Sequence, residues 1–513
     1  MANYIMLQGT SSHVGKSILT TALCRIFYQD GRKVVPFKAQ NMALNSYVTK
    51  DGKEMGRAQV AQAEAAGLDP MVDMNPVLLK PTGNSCSQVV LMGEAIGNMS
   101  AREYHQGYSL KAFSAVKTAL ERLDSAYDTI VIEGAGSPAE VNLKANDIVN
   151  MRVAKHLQAP VLLIADIDRG GALAALVGTL ELLDADERAL VKGLIINKFR
   201  GDITLLTPAI QFLEEKTGKP VLGVIPHLDK LGIDDEDSVS LEEKTHYHKK
   251  KDLAIAVIQT PKISNFTDFD CLANEADVSL YYVKEGESIG KPDLILLPGS
   301  KNTTEDLLYL RRSGLEKTIK AAVCRKIPVI GICGGYQMLG EAIYDPYHTE
   351  SEHEQTAGMG LLPLETTFGQ HKLTSQVKAH CPALHFLGAE IFAADLTGYE
   401  IHMGQTAFLE EQAGQPFVIT QRSNETMSCP EGLCRADGYV FGTYIHGIFD
   451  NDAFRRAVLN AIRVHKKLPP LENTVNTYAA KQSSYNRLAD TVRQSLDMKR
   501  LYEIMDETAQ WKS

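Results

Sequence analysis

The sequence has no excess of positive charge, no cysteines in C-x-x-C spacing and no apolar run of membrane-spanning length. Each absence removes a class of protein. The formal net charge of -10 argues against a general nucleic-acid binder, which would show a basic face. A membrane-crossing helix needs about 20 consecutive apolar residues, and no such stretch occurs, so no membrane partner is expected. The eight cysteines are scattered. Neither a disulfide framework nor a zinc site is expected, and a reducing cytoplasm is the compartment that fits. An apolar strand pattern begins within a few residues of Met1, so no secretory leader is expected.

What remains is an ordinary globular composition, 44% hydrophobic and 23% charged, in a chain of 513 residues. That length exceeds what one core organises, so two or three domains are expected.

The most informative stretch is Pro328-Val329-Ile330-Gly331-Ile332-Cys333-Gly334-Gly335-Tyr336-Gln337. A short apolar run reads as a buried strand. It ends on a cysteine flanked by Gly331 and Gly335, and a helical pattern follows at once. G-x-C-x-G between strand and helix is the thiol form of a nucleophile elbow, a turn so sharp that neighbouring side chains must be absent. The helix N-terminus points N–H groups at the sulfur, an environment suited to an anionic nucleophile. A base must serve it. His446, at the end of the apolar strand pattern Tyr439–Ile445 and followed by glycine, is the expected partner, with His402 the runner-up. The loop Pro298-Gly299-Ser300-Lys301-Asn302-Thr303 ends another strand. Backbone N–H groups near Gly299 or Ser300, together with that of Gly334, are the expected oxyanion hole.

The N-terminal half carries different chemistry. A strand, Tyr4–Gln8, runs into Gly9-Thr10-Ser11-Ser12-His13-Val14-Gly15-Lys16-Ser17 and then a helix. That is the context of a phosphate loop, although Thr10 stands where the standard spacing has its first glycine. Thr10, Val14, Gly15, Lys16 and Ser17 are therefore expected at a nucleotide. The loop and the helix N-terminus would cradle its phosphates, with Lys16 neutralising β/γ charge and Ser17 ligating Mg²⁺. Further strands are expected at Lys33–Phe37, Thr129–Ile132, Val161–Ala165, Gly193–Ile196 and Val221–Ile225, which with intervening helices make a doubly wound α/β domain. Chemistry in such a domain sits at the carboxyl ends of the strands. Glu133 is placed there as a second Mg²⁺ ligand. Asp166 and Asp168 end the next strand, and Asn197 is expected to touch the nucleotide base. The loop Lys38–Ser46 and the helix opening at Glu54–Gln59 are dense in polar side chains. Gln40, Asn41, Asn45 and Arg57 are the expected substrate contacts.

Between the halves, residues 231–251 are charged and aperiodic and read as a solvated linker. Strand patterns resume at Leu253–Ile258, Val278–Val283, Leu294–Leu297 and Val329–Ile332. The expected organisation is two doubly wound α/β domains, 1–230 and 252–455, followed by a helical tail, 456–513, with a packing or interface role.

The phosphate loop resembles the dethiobiotin-synthetase-like branch of P-loop enzymes, and the elbow resembles that of class I glutamine amidotransferases. Ile263–Asp270, Pro298–Thr303, Tyr399-Glu400-Ile401-His402-Met403-Gly404, Gln8–Ser12, Gln40-Asn41-Met42 and Met74–Pro81 are similar, in the same order, to the cobyric acid synthase family. The resemblance implies an ATP-, Mg²⁺- and glutamine-dependent amidation in cobalamin biosynthesis. The corrinoid substrate would be adenosylcobyrinic acid a,c-diamide, amidated at its b, d, e and g side chains. Cys333 would form a glutamyl thioester and release ammonia, and the N-terminal domain would phosphorylate a corrinoid carboxylate. Amidotransferases of this class usually carry a glutamate two residues after the histidine, whereas this chain has Ile448. A dyad, or an orienting group from elsewhere, is then required. Two rivals remain: the synthase that amidates the a and c carboxylates, and a non-catalytic P-loop ATPase with a decayed amidotransferase module. The intact Cys333 and its glycines speak against the second. The oligomeric state is left open by the sequence.

Overall fold

The computed structural model describes residues 2–83, 85–228, 231–234, 251–409 and 414–510, with side chains as far as 507. Of the expected linker, residues 235–250 lie outside the described residues. Among the described residues, no helix is long and apolar enough to cross a membrane.

The N-terminal domain is built on a six-stranded parallel sheet. Its order is Val221–Pro226, Val191–Phe199, Val161–Asp166, Asn3–Gly9, Thr129–Glu133, Val34–Phe37. The central strands are buried along almost their whole length, which is why they read as continuous apolar runs rather than alternating ones. Alternation instead assigns side chains to two cores. Tyr4, Met6, Ile130, Ile132 and Leu163 enter one face, and Ile5, Leu7, Val131, Leu162 and Ile164 the other. Leu7 is in register with Glu133, so the carboxylate arrives beside the start of the phosphate loop.

The second face decides where the chain's end goes. Tyr485, Leu488, Ala489, Val492, Leu501, Ile504 and Met505, from helices Thr477–Ser495 and Met498–Gln510, complete the core formed by Ile5 and Leu7. The Asp497 N–H donates to the Leu222 carbonyl at 2.8 Å and pins the tail to the edge strand. The tail is thus a part of the first domain, reached after the second domain is finished. Helix Asp452–His465 is different: its Phe454, Val458, Leu459 and Ile462 lie in the core of the second domain, so the expected boundary at 455/456 falls inside a helix.

The second domain holds a sheet ordered Val278–Val283, Leu253–Ile258, Leu294–Leu297, Val329–Ile332, Val440–Thr443, Leu433–Cys434, with only the last pairing antiparallel. Against it lies a mixed, largely antiparallel sheet dominated by the long hairpin Leu364–Phe386 and Ala389–Phe408, which the sequence patterns did not announce. The first domain has a similar addition, Gln40–Met42, Val77–Pro81, Cys86–Leu91 and Glu94–Ser100. A separate small hairpin of the first domain, Ser46–Val48 and Glu54–Gly56, meets the long hairpin of the second. Thr374 Oγ1 donates to the Gly52 carbonyl at 2.8 Å, and Lys372 Nζ lies 2.5 Å from Glu54 Oε2.

Candidate active site

Cys333 sits at φ 51° and ψ −107°, outside helix and strand geometry, between strand Val329–Ile332 and helix Gly334–Met338. Such a conformation is strained for a non-glycine residue and persists only when its surroundings enforce it. They do so by crowding. A Cβ on Gly335 would fall 2.1 Å from the Leu297 carbonyl oxygen, and one on Gly334 2.8 Å from the Ser300 backbone nitrogen. The Cys333 N–H donates to the Thr443 carbonyl at 2.8 Å, which ties the elbow to the strand leading to His446.

His446 is fully buried and lines the same small cavity as Cys333, about 40 Å³, together with Ser300, Gln337, His402 and Lys80 of the first domain. Its Nδ1 donates to Asp268 Oδ2 at 2.6 Å, and the Gly447 N–H donates to the other carboxylate oxygen at 3.0 Å. The ring stacks on Tyr399, centroids 5.2 Å apart. Burial alone would depress the imidazolium. The Asp268 carboxylate and the Cys333 sulfur outweigh it and raise the ring to about 10.

Asp268 thus places a carboxylate against His446, where position 448 offers none. It comes from the turn after strand Leu253–Ile258, at the same carboxyl edge of the sheet as Cys333. The stretch Ile263–Asp270 was visible in the sequence, but nothing local marked which of its acids faces a histidine. Ile448 is buried in the second domain's core. His402 lines the cavity too, stacked on Tyr444 at 3.9 Å with Nδ1 donating to the Gly404 carbonyl at 2.8 Å. Gly299 lies against His446: a Cβ there would be 3.1 Å from its Cε1.

The phosphate loop opens on a cleft of about 730 Å³ lined by Gly15, Lys16, Ser17, Lys38, Asn41 and Lys198, among others. Lys16 Nζ donates to the carbonyls of Ser11 and Gly136, at 2.9 and 3.1 Å. Ser17 Oγ donates to Glu133 Oε1 at 2.8 Å, Lys38 Nζ reaches the same oxygen at 2.8 Å, and Gln62 Nε2 reaches Oε2 at 2.6 Å. The sequence pattern of the Lys38–Ser46 loop did not mark Lys38 as a partner of Glu133.

Several of the expected site residues are engaged by other parts of the chain. Asn197 Nδ2 donates to the Val14 carbonyl at 2.7 Å and so braces the phosphate loop. The Thr10 N–H donates to the Ile164 carbonyl at 2.9 Å, and the Val14 side chain is buried. Arg57 Nε pairs with Asp234 Oδ2 at 2.8 Å, with both groups buried, which also makes Asp234 a fixed anchor instead of linker. Asn45, fully buried, accepts from the Phe266 N–H at 3.2 Å across the domain boundary. Asn41 does line the cleft, while Gln40 accepts from the Tyr104 hydroxyl at 2.5 Å. Asp166 pairs with Lys198 at 2.9 Å, and Asp168 with Arg200 at 3.3 Å.

Comparison with known proteins agrees with this division. Residues 5–240 match the family described as CobQ/CobB/MinD/ParA nucleotide binding domain, and residues 254–454 match the CobB/CobQ-like glutamine amidotransferase domain. The chain is 53% identical to the cobyric acid synthase of Moorella thermoacetica over 98% of both chains. It is 52% identical to that of Pelotomaculum thermopropionicum, over 98% of this chain and 97% of the relative. For that of Dehalococcoides mccartyi strain CBDB1 the identity is 51% over 99% of each. A nucleotide-binding domain joined to a cysteine-elbow domain of this kind makes the molecule a glutamine-dependent, ATP-using amide synthase. Within that class, the chain belongs to the cobyric acid synthase family.

Proposed function

We propose that the chain amidates the b, d, e and g carboxylates of adenosylcobyrinic acid a,c-diamide, using glutamine as nitrogen donor and ATP as activator. Cys333 Sγ attacks the glutamine δ-carbonyl carbon. The oxyanion is met by backbone N–H groups of Gly334 and of the Gly299–Ser300 loop. The C–N bond breaks as His446 passes its proton to the leaving nitrogen, which gives ammonia and a glutamyl thioester. Water then attacks the thioester, with His446 as base, and releases glutamate. Asp268 keeps the ring oriented and stabilises its charged form, the part an orienting carboxylate plays in a triad.

In the N-terminal domain the corrinoid carboxylate attacks the γ-phosphorus of ATP, forming an acyl phosphate and ADP. Ammonia adds to the acyl carbon and phosphate leaves. A carboxylate is a poor electrophile until it is so activated. Lys16 and the loop N–H groups hold the phosphates. The hydroxyl of Ser17 and the carboxylate of Glu133, 2.8 Å apart, are hard oxygen donors of the kind Mg²⁺ takes beside nucleotide phosphates. When bound there, Mg²⁺ would offset the phosphate charge. Lys80 of the first domain lines the cavity of Cys333, in keeping with a sheltered route for ammonia between the sites.

The observation that carries this reading is the Cys333 elbow facing a histidine held by a buried carboxylate. The test is a glutamine- and ATP-dependent amidation assay on a panel of corrinoid acids, read by mass. Four successive additions to the a,c-diamide are expected. Additions restricted to the a and c positions of the unamidated acid would overturn the substrate assignment.

A further inference from the structure

The contact between the domains reaches the glutaminase machinery itself. The loop that follows strand Val34–Phe37 serves two places. Near its start, Lys38, Asn41 and Met42 line the nucleotide cleft. At its end, Asn45 and Ser46 are buried against the turn that carries Asp268. The contact is reciprocal: Asn45 Oδ1 accepts from the Phe266 N–H at 3.2 Å, and Asn265 Oδ1 accepts from the Ser46 N–H at 3.0 Å. Asn265 has φ 51° and ψ 36°, a left-handed conformation that asparagine tolerates better than most residues. Its carbonyl accepts from the Asp268 N–H at 3.1 Å and closes the turn. Asn45, Ser46, Asn265 and Asp268 are all buried.

A second path leads from the same loop to the same histidine. Tyr399 exchanges backbone hydrogen bonds with His446, at 2.9 and 3.1 Å, and stacks on its ring. The Tyr399 hydroxyl donates to the Ser46 carbonyl at 3.4 Å, and its ring packs edge-on against Tyr47, centroids 5.1 Å apart. The loop therefore bears on the carboxylate behind His446 and on the ring stacked over it. Buried amide groups are costly unless paired, and here each pair ends within three residues of Asp268.

We propose that Asn45, a residue of the N-terminal domain, is a positioning residue of the glutaminase: it holds the Asn265–Asp268 turn, and thereby the carboxylate that orients His446. The inference rests on the reading of Cys333 and His446 as nucleophile and base. It takes Asn45 out of the acceptor site, where the sequence had suggested it.

The test uses the full chain. Glutamine hydrolysis and amidation of the corrinoid acid with glutamine or ammonia are measured for wild type, Asn45→Ala, Asn45→Asp and Cys333→Ala. For Asn45→Ala we expect an about tenfold loss in kcat with glutamine, KM for glutamine nearly unchanged, and ammonia-driven amidation within about twofold of wild type. Its alkaline limb of glutamine hydrolysis should lie at lower pH, because a loosened Asp268 stabilises the imidazolium less. The groups facing that ring are Asp268, Cys333 and Tyr399, with Asp450 acting on Asp268 and Tyr399 from behind. Asn45→Asp keeps the acceptor for the Phe266 N–H and should recover most of the loss. Equal loss with both nitrogen donors would overturn the proposal, as would unchanged glutamine hydrolysis. Cys333→Ala reports on the underlying reading: if it keeps glutamine use, that reading fails, whatever Asn45→Ala shows. Should Asn45→Ala fail to fold, Asn265→Ala removes the reciprocal bond and is read by the same criteria.

Discussion

His446 Nδ1 lies 2.6 Å from Asp268 Oδ2, a residue 178 positions earlier in the chain. The carboxylate's second oxygen takes the Gly447 N–H, so one side chain fixes both the histidine ring and the backbone that follows it. The position where this class of amidotransferase usually keeps its glutamate holds a buried isoleucine, and the carboxylate has been supplied from a different strand end.

Removing that carboxylate should be costly in a specific way. Asp268→Asn should lower glutamine-dependent turnover by about 10²-fold or more and leave ammonia-dependent turnover nearly unchanged. The His446 proton is present below the ring's raised value of about 10 and is lost as pH rises through it. Because Asp268 raises that value, its loss should bring the alkaline fall in glutamine use to lower pH. A pH profile that does not move would remove Asp268 from the catalytic group.

Three substitutions separate base, wall and core. His446→Ala should cost glutamine use about 10²-fold or more. His402→Ala should cost less, since its ring stacks on Tyr444 and its Nδ1 is engaged by the Gly404 carbonyl. Ile448→Ala leaves a cavity in the core and should cost about 2–5 kcal/mol of stability, with little change in turnover per folded molecule. Steady-state rates with both nitrogen donors and urea unfolding decide the matter. A selective loss of glutamine use in His402→Ala, absent from His446→Ala, would reverse the assignment of the base.

The two half-reactions should come apart by mutation. Cys333→Ala should abolish glutamine-supported synthesis and spare synthesis from high ammonia. Lys16→Ala should lose amidation with either donor, because activation of the carboxylate precedes attack by ammonia. Any hydrolysis of glutamine that does not require ATP should persist in it. Normal ammonia-dependent amidation in Lys16→Ala would mean that ATP is held elsewhere.

The tail offers a test of stability rather than chemistry. Leu488 is fully buried in the core that contains Ile5 and Leu7. Leu488→Ala should destabilise the N-terminal domain by about 2–5 kcal/mol, seen as an earlier unfolding transition that nucleotide shifts. If only the transition that responds to glutamine analogues moves, the tail belongs with the second domain.

Some of this molecule is written locally. The phosphate loop needs a strand, two glycines and a Lys-Ser pair within one turn of chain, and the elbow needs glycines on either side of Cys333. Such features are legible because the backbone geometry they impose admits few residues. The parallel strands were legible because burial on both faces demands unbroken apolar runs, whereas the long hairpin Leu364–Phe386 and Ala389–Phe408, with one polar face and bulges, blurred its own pattern. What only the tertiary structure decided are the pairings between distant segments: Asp268 with His446, Asn45 with the Phe266 N–H, Asp234 with Arg57, and the C-terminal helices with the first strand. An aspartate carries no mark of which histidine it will face, and an amphipathic helix fits any apolar face of the right width. Those choices are made when the sheets close on one another, because each buried polar group must then find a partner among whatever the fold has brought near.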